Sequence, residues 1–172
     1  LDFDDDGECD VDGDATAASV SNAFGVLRSQ LTAQDRLFVF LTDHGGPTEG
    51  GGEWDAELCL WNNERFRDRD LKALTEQLPC PVVFAMEQCY SGGFADDLDQ
   101  PNRIFVSAAA HDSVSRAEPY PYFYDQWCLN WTAALRGFFP SNHVPWVDGA
   151  ARNADYNGKR YVSFREETII AD

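Results

Sequence analysis

Cations are scarce in this chain: 13 Lys and Arg stand against 30 Asp and Glu, a net charge of −17 over 172 residues. That balance argues against a nucleic-acid ligand, whose phosphates are held by Lys and Arg. It argues equally against an anionic membrane surface, and suits instead a soluble protein, calcium or basic substrates. Long apolar runs are missing too; none approaches the roughly 20 residues of a bilayer span. The chain opens on Leu1 with no Met, signal peptide or tag. The expectation is a processed or trimmed product, secreted or periplasmic. Cys9, Cys59, Cys80, Cys89 and Cys128 are spaced too widely for a zinc pattern. Their odd number fits a free reactive thiol with up to two disulfides, and equally a set of reduced cysteines. No internal repeat or low-complexity linker divides the chain.

What is present describes one globular domain over residues 1–172: 44% of residues are hydrophobic and 13% aromatic. Helices are predicted over Thr16–Gln30, Asp68–Leu78 and a stretch carrying Trp127, Trp131, Ala134 and Leu135 inward. Between them lie buried strands, Leu37–Leu41, Val82–Met86 and Ile104–Ala108, and a shorter one, Leu58–Trp61, turning at Asn62-Asn63. Strands alternating with amphipathic helices give a three-layer α/β fold on a mostly parallel sheet. Beyond Gly137 a C-terminal extension begins, read as a surface loop over Pro140–Gly149.

Both ends hold carboxylates at partial EF-hand spacing. Asp2, Asp4, Asp6 and Gly7 match the opening of such a loop, with Asp10 at its ninth position, but Gly13 stands where the bidentate Glu belongs. Either a structural Ca²⁺ or a solvated acidic loop fits residues 1–14. Asp155, Asn157, Ser163 and Glu166 repeat the spacing near the C-terminus, degraded by Lys159 and Arg160.

Two segments share one design. Leu37–Leu41 runs into Thr42-Asp43-His44-Gly45, and Val82–Met86 into Glu87-Gln88-Cys89-Tyr90-Ser91-Gly92-Gly93. Each is a buried strand ending in polar groups beside glycine, at the carboxyl edge where open α/β sheets bind ligands. A strand-end His followed about 50 residues later by a strand-end Cys is the caspase arrangement. On these motifs the chain resembles clan CD cysteine peptidases, most of all the legumain-type C13 family. Through Cys59-Leu60-Trp61-Asn62 and Gln88–Phe94 it is closer still to C13-like proteins of gut bacteria. The resemblance runs from about Asp12 to Leu135.

It implies a caspase-like fold and a dyad of Cys89 as nucleophile and His44 as acid/base, cleaving peptide bonds through a thioester without a cofactor. It implies an oxyanion donor at the Gly45 N–H, with the Cys89 N–H as a natural second. Glu87, Ser115 and Asp125 correspond to residues lining the first substrate pocket; helix capping and an edge ion pair are the plainer reading of the two acids. His111 and His143 lie in polar loops and are expected to face solvent. The family's first central strand, with its pocket Arg, has no counterpart here, so a preceding segment or second chain is expected to supply it. Gln88 replaces a small residue and is expected to narrow the cleft. Without the Arg, the two acids suit Lys or Arg before the cut bond as well as the family's Asn, with Asp third. Other readings are a transamidase or peptide ligase using the same dyad, and an inactive calcium-dependent binding module.

Overall fold

A computed structural model of the chain describes residues 6–117, 125–141 and 144–151. Strands β1 (Leu37–Leu41), β5 (Val82–Met86) and β6 (Arg103–Ser107) lie parallel in the order β1-β5-β6. The central strand, β5, is apolar throughout because both its faces are covered, and Phe84, Ala85 and Met86 are 0% exposed. Its alternation divides the core in two. Phe84 and Met86 face a cluster with Phe24, Leu71 and Phe94, while Ala85 and Val106 face Trp127 and Trp131.

Those partners lie on helices. α1 (Ala17–Gln30) starts where Thr16 Oγ1 accepts the Ser19 N–H, and buries Phe24 against the sheet. α2 (Asp68–Thr75) supplies Leu71 to the same side. On the opposite side α4 (Gln126–Arg136) stacks Trp127 on Trp131, ring centroids 5.0 Å apart, and ends at Gly137 in the left-handed conformation. The architecture is thus helix, sheet, helix, as the alternating pattern requires.

A second sheet branches off after β1. Strands β2 (Gly45–Pro47), β3 (Ala56–Cys59) and β4 (Arg65–Arg67) are antiparallel in the order β2-β3-β4. After β5, a short 3-10 turn leads into α3 (Ala95–Leu98).

Several boundaries differ from the sequence reading. The Leu58–Trp61 strand runs from Ala56 to Cys59, because the chain leaves the ladder at Leu60 for a turn in which Asn62 and Asn63 adopt φ of 59° and 58°. α2 stops at Thr75, and Leu78 reaches the core from a following turn. Leu135, expected inward, is 52% exposed, and Ala133 is buried in its place. Residues expected as loop past Gly137 form a hairpin, β7 (Phe138–Ser141) and β8 (Val144–Ala151). Pro140 is tolerated there because one side of a two-stranded ribbon needs no N–H.

Candidate active site

The register of the main sheet builds the site. Leu41 stands beside Met86 in the parallel pairing of β1 and β5. One step on, Thr42 Oγ1 donates to Glu87 Oε2 at 2.5 Å, so the alignment outlasts the strands. His44 and Cys89 each follow three residues after the last paired residues, Leu41 and Met86. Gly45 then passes hard against the nucleophile's backbone: a Cβ there would lie 2.5 Å from the Cys89 carbonyl oxygen and 2.6 Å from Gln88 Cγ. Only glycine permits that approach.

The surrounding main chain is fixed. His44 donates its N–H to Asp43 Oδ1 at 2.6 Å, and its carbonyl accepts the Cys59 N–H at 2.8 Å. That second bond makes His44 and Cys59 a hydrogen-bonded antiparallel pair, so Gly45 and Leu58 form the alternate, non-hydrogen-bonded one. The Gly45 N–H therefore points away from β3. The Cys89 N–H likewise finds no acceptor among the described residues. Just past Cys89 the chain turns through Tyr90 at φ 59°, held by Tyr90 N–H to the Ser113 carbonyl at 2.8 Å and Gly92 N–H to the Ala109 carbonyl at 2.9 Å.

Beside the thiol is a run of polar side chains. Cys89 Sγ lies 3.6 Å from Ser115 Oγ, which is 3.4 Å from Glu87 Oε1. Glu87 is 6% exposed. Asp125 caps α4 through the Trp127 N–H at 2.8 Å and also hydrogen-bonds Glu87. Burial, reinforced by the bond to Glu87 and its charge, pushes the Asp125 carboxyl up to about 7. The Cys128 thiol, one helical turn on, is pushed up to about 12 by burial and the same two carboxylates. It is a protonated bystander, unsuited to nucleophilic attack.

The chain is similar to other proteins in two respects. The model of the peptidase C13 family matches residues 11–135. The chain belongs to that family. Membership implies cysteine peptidase or transamidase chemistry in general. Among solved structures it resembles protein GSU0716 from Geobacter sulfurreducens, with a TM-score of 0.51 and 18% identity. The match covers 70% of this chain and 63% of that one, less than two thirds of its length, and concerns the fold alone. No curated protein matches the chain. The parallel β1-β5-β6 sheet between helix layers, with a small antiparallel sheet at its side, is consistent with a caspase-like fold.

This C13 chain thus brings His44–Gly45, Cys89, Glu87, Ser115 and Asp125 to one end of its sheet. Asp125 caps α4, as its plainer reading has it, and lies against Glu87. Two expectations are corrected. Gln88 does not line a cleft: it is 0% exposed, and among the described residues neither its Oε1 nor its Nε2 has a hydrogen-bond partner. His111 does not face open solvent; it stacks on Trp54 with ring centroids 4.0 Å apart, its side chain 20% exposed. Among the described residues no disulfide joins any of the cysteines. Asp6 and Asp10 lie on exposed chain ahead of α1, and among the described residues no group of three or more His, Cys, Asp or Glu is gathered as a metal requires. Asp2, Asp4, His143 and the Asp155–Glu166 segment lie outside the described residues.

Proposed function

We propose that this C13 protein is a cysteine endopeptidase in which Cys89 attacks the scissile carbonyl and His44 protonates the departing amine. The observation behind it is the fit of Gly45 against Cys89, which holds the ends of β1 and β5 together. A carbonyl attacked by Cys89 Sγ develops its negative charge near two outward N–H groups, those of Gly45 and Cys89, which serve as the oxyanion hole. His44, exposed at the strand end, is accessible to the leaving group. Water, with His44 as base, then releases the thioester. An amine in place of water would give transamidation by the same steps, so the acceptor alone separates the two activities.

Glu87, Asp125 and Ser115 form the first substrate pocket. Among the described residues the largest influences on Asp125 are burial, Glu87 and backbone N–H groups. Two carboxylates about 4 Å apart repel by roughly 4 kcal/mol at an effective dielectric of 20. A Lys or Arg side chain relieves that repulsion; Asn fits the pair when it holds one proton, and Asp fits worst. A further strand, from a preceding segment or second chain, would extend the main sheet and could bring an Arg that shifts the preference to Asn. Cleavage of peptides differing only in Arg, Asn or Asp before the cut, with the Cys89→Ala protein as control, tests the proposal. The expected order is Arg or Asn ahead of Asp. Fastest cleavage after Asp at neutral pH, or undiminished cleavage by Cys89→Ala, would refute it.

A further inference from the structure

The loops leaving the carboxyl ends of β1, β5 and β6 are anionic. Residues 37–64, 82–102 and 104–115 contain no Lys or Arg. The loop after β1 alone carries Asp43, Glu49, Glu53 and Asp55. The indole of Trp54 sits in this setting. Trp54 lies with its carbonyl 2.6 Å from where a Gly93 Cβ would be, so it is packed onto the turn that follows the nucleophile. His111, from the loop after β6, stacks on the indole at 4.0 Å and 17° between planes. Its Nε2 lies 3.5 Å from Glu53 Oε1, and the Glu53 side chain is 80% exposed. Trp54 nonetheless remains 42% exposed.

An indole packed on one face, open elsewhere and flanked by an accessible carboxylate is the pairing that receives a guanidinium or ammonium group. The His stack and the backbone fit at Gly93 remove the cost of ordering the ring when a ligand arrives. We infer that Trp54 and Glu53 form a second substrate subsite, which takes an Arg or Lys side chain flanking the cut residue. This rests on the peptidase reading above and narrows its substrate class to peptides with two basic residues. The subsite is separate from Glu87 and Asp125, which would hold the first.

Binding tests it without relying on turnover. Short alanine-rich peptides with one fixed Arg, and a second Arg or a Gln moved stepwise along the chain, are titrated calorimetrically into the full-length Cys89→Ala protein. At one spacing the second Arg is expected to tighten binding about five- to tenfold over Gln. The gain should disappear in a Trp54→Leu background and shrink with Glu53→Gln, a change too conservative to unfold the loop. No gain at any spacing, or a gain that survives both substitutions, would overturn the inference. Failure of the wild-type protein to cleave peptides that bind in this pattern would instead count against the peptidase reading alone.

Discussion

Gln88 is an unusual residue to find sealed under the turn that carries Cys89. A buried amide without partners costs about 1–3 kcal/mol relative to an apolar group of the same shape. Gln88→Met keeps the volume and removes both orphaned atoms, so it should raise unfolding stability by about 1 kcal/mol in chemical denaturation. A loss of stability would mean that the amide is satisfied in solution. The glycines beside it carry the opposite constraint. Gly45→Ala drives a methyl into the Cys89 carbonyl. Overpacking of this kind costs about 1–3 kcal/mol, and the shift of the Gly45 N–H should slow reaction of Cys89 with peptidyl electrophiles more than tenfold. An unchanged rate would remove Gly45 from the oxyanion hole.

Among the elements, the pocket between β5 and α4 makes pH the useful variable. The raised Asp125 carboxyl holds its proton at acid pH and takes up its charge only as pH passes about 7. The rate ratio for Arg over Asn peptides should therefore climb between about pH 5 and 8. Asp125→Asn, which retains a capping side chain for α4, should flatten the climb. A ratio independent of pH in the unmodified protein would contradict the pocket assignment. How much of this could be read in the sequence follows from the range of each interaction. β1, β5, β6, α1, α2 and α4 announce themselves through local apolar pattern, and the strand-end polar residues mark the site. Thr42 was missed as a partner of Glu87, although each directly follows the last residue of its strand. Cys128 was missed although it is three residues, one turn, from Asp125. The Trp54–His111 stack left no such trace, being a contact between two loops far apart in sequence. The β7–β8 hairpin was hidden by Pro140, read as a loop signal.

At the scale of the whole molecule, two acids with raised pKa values bear on stability. Asp68, 3% exposed and pushed up to about 6 by burial, and Asp125, pushed up to about 7, both hold their proton more tightly folded than unfolded. The stability each contributes is present below about pH 4 and is lost as pH rises through the folded values. Melting temperature should thus fall from about pH 4 to 7, less steeply in Asp125→Asn; parallel profiles would show that Asp125 is not perturbed. Calcium at Asp2, Asp4, Asp6 and Asp10 remains a proposal from spacing, tested by whether Ca²⁺ raises that melting temperature. The proposed chemistry depends on the pairing of two strand ends. Its most direct test is intact-mass and peptide mapping after exposure to a peptidyl acyloxymethyl ketone. One adduct on Cys89 is expected, absent in Cys89→Ala and formed far more slowly in His44→Ala. Equal labelling of Cys59, Cys80 or Cys128 in the folded protein, or an unaltered rate in His44→Ala, would contradict it.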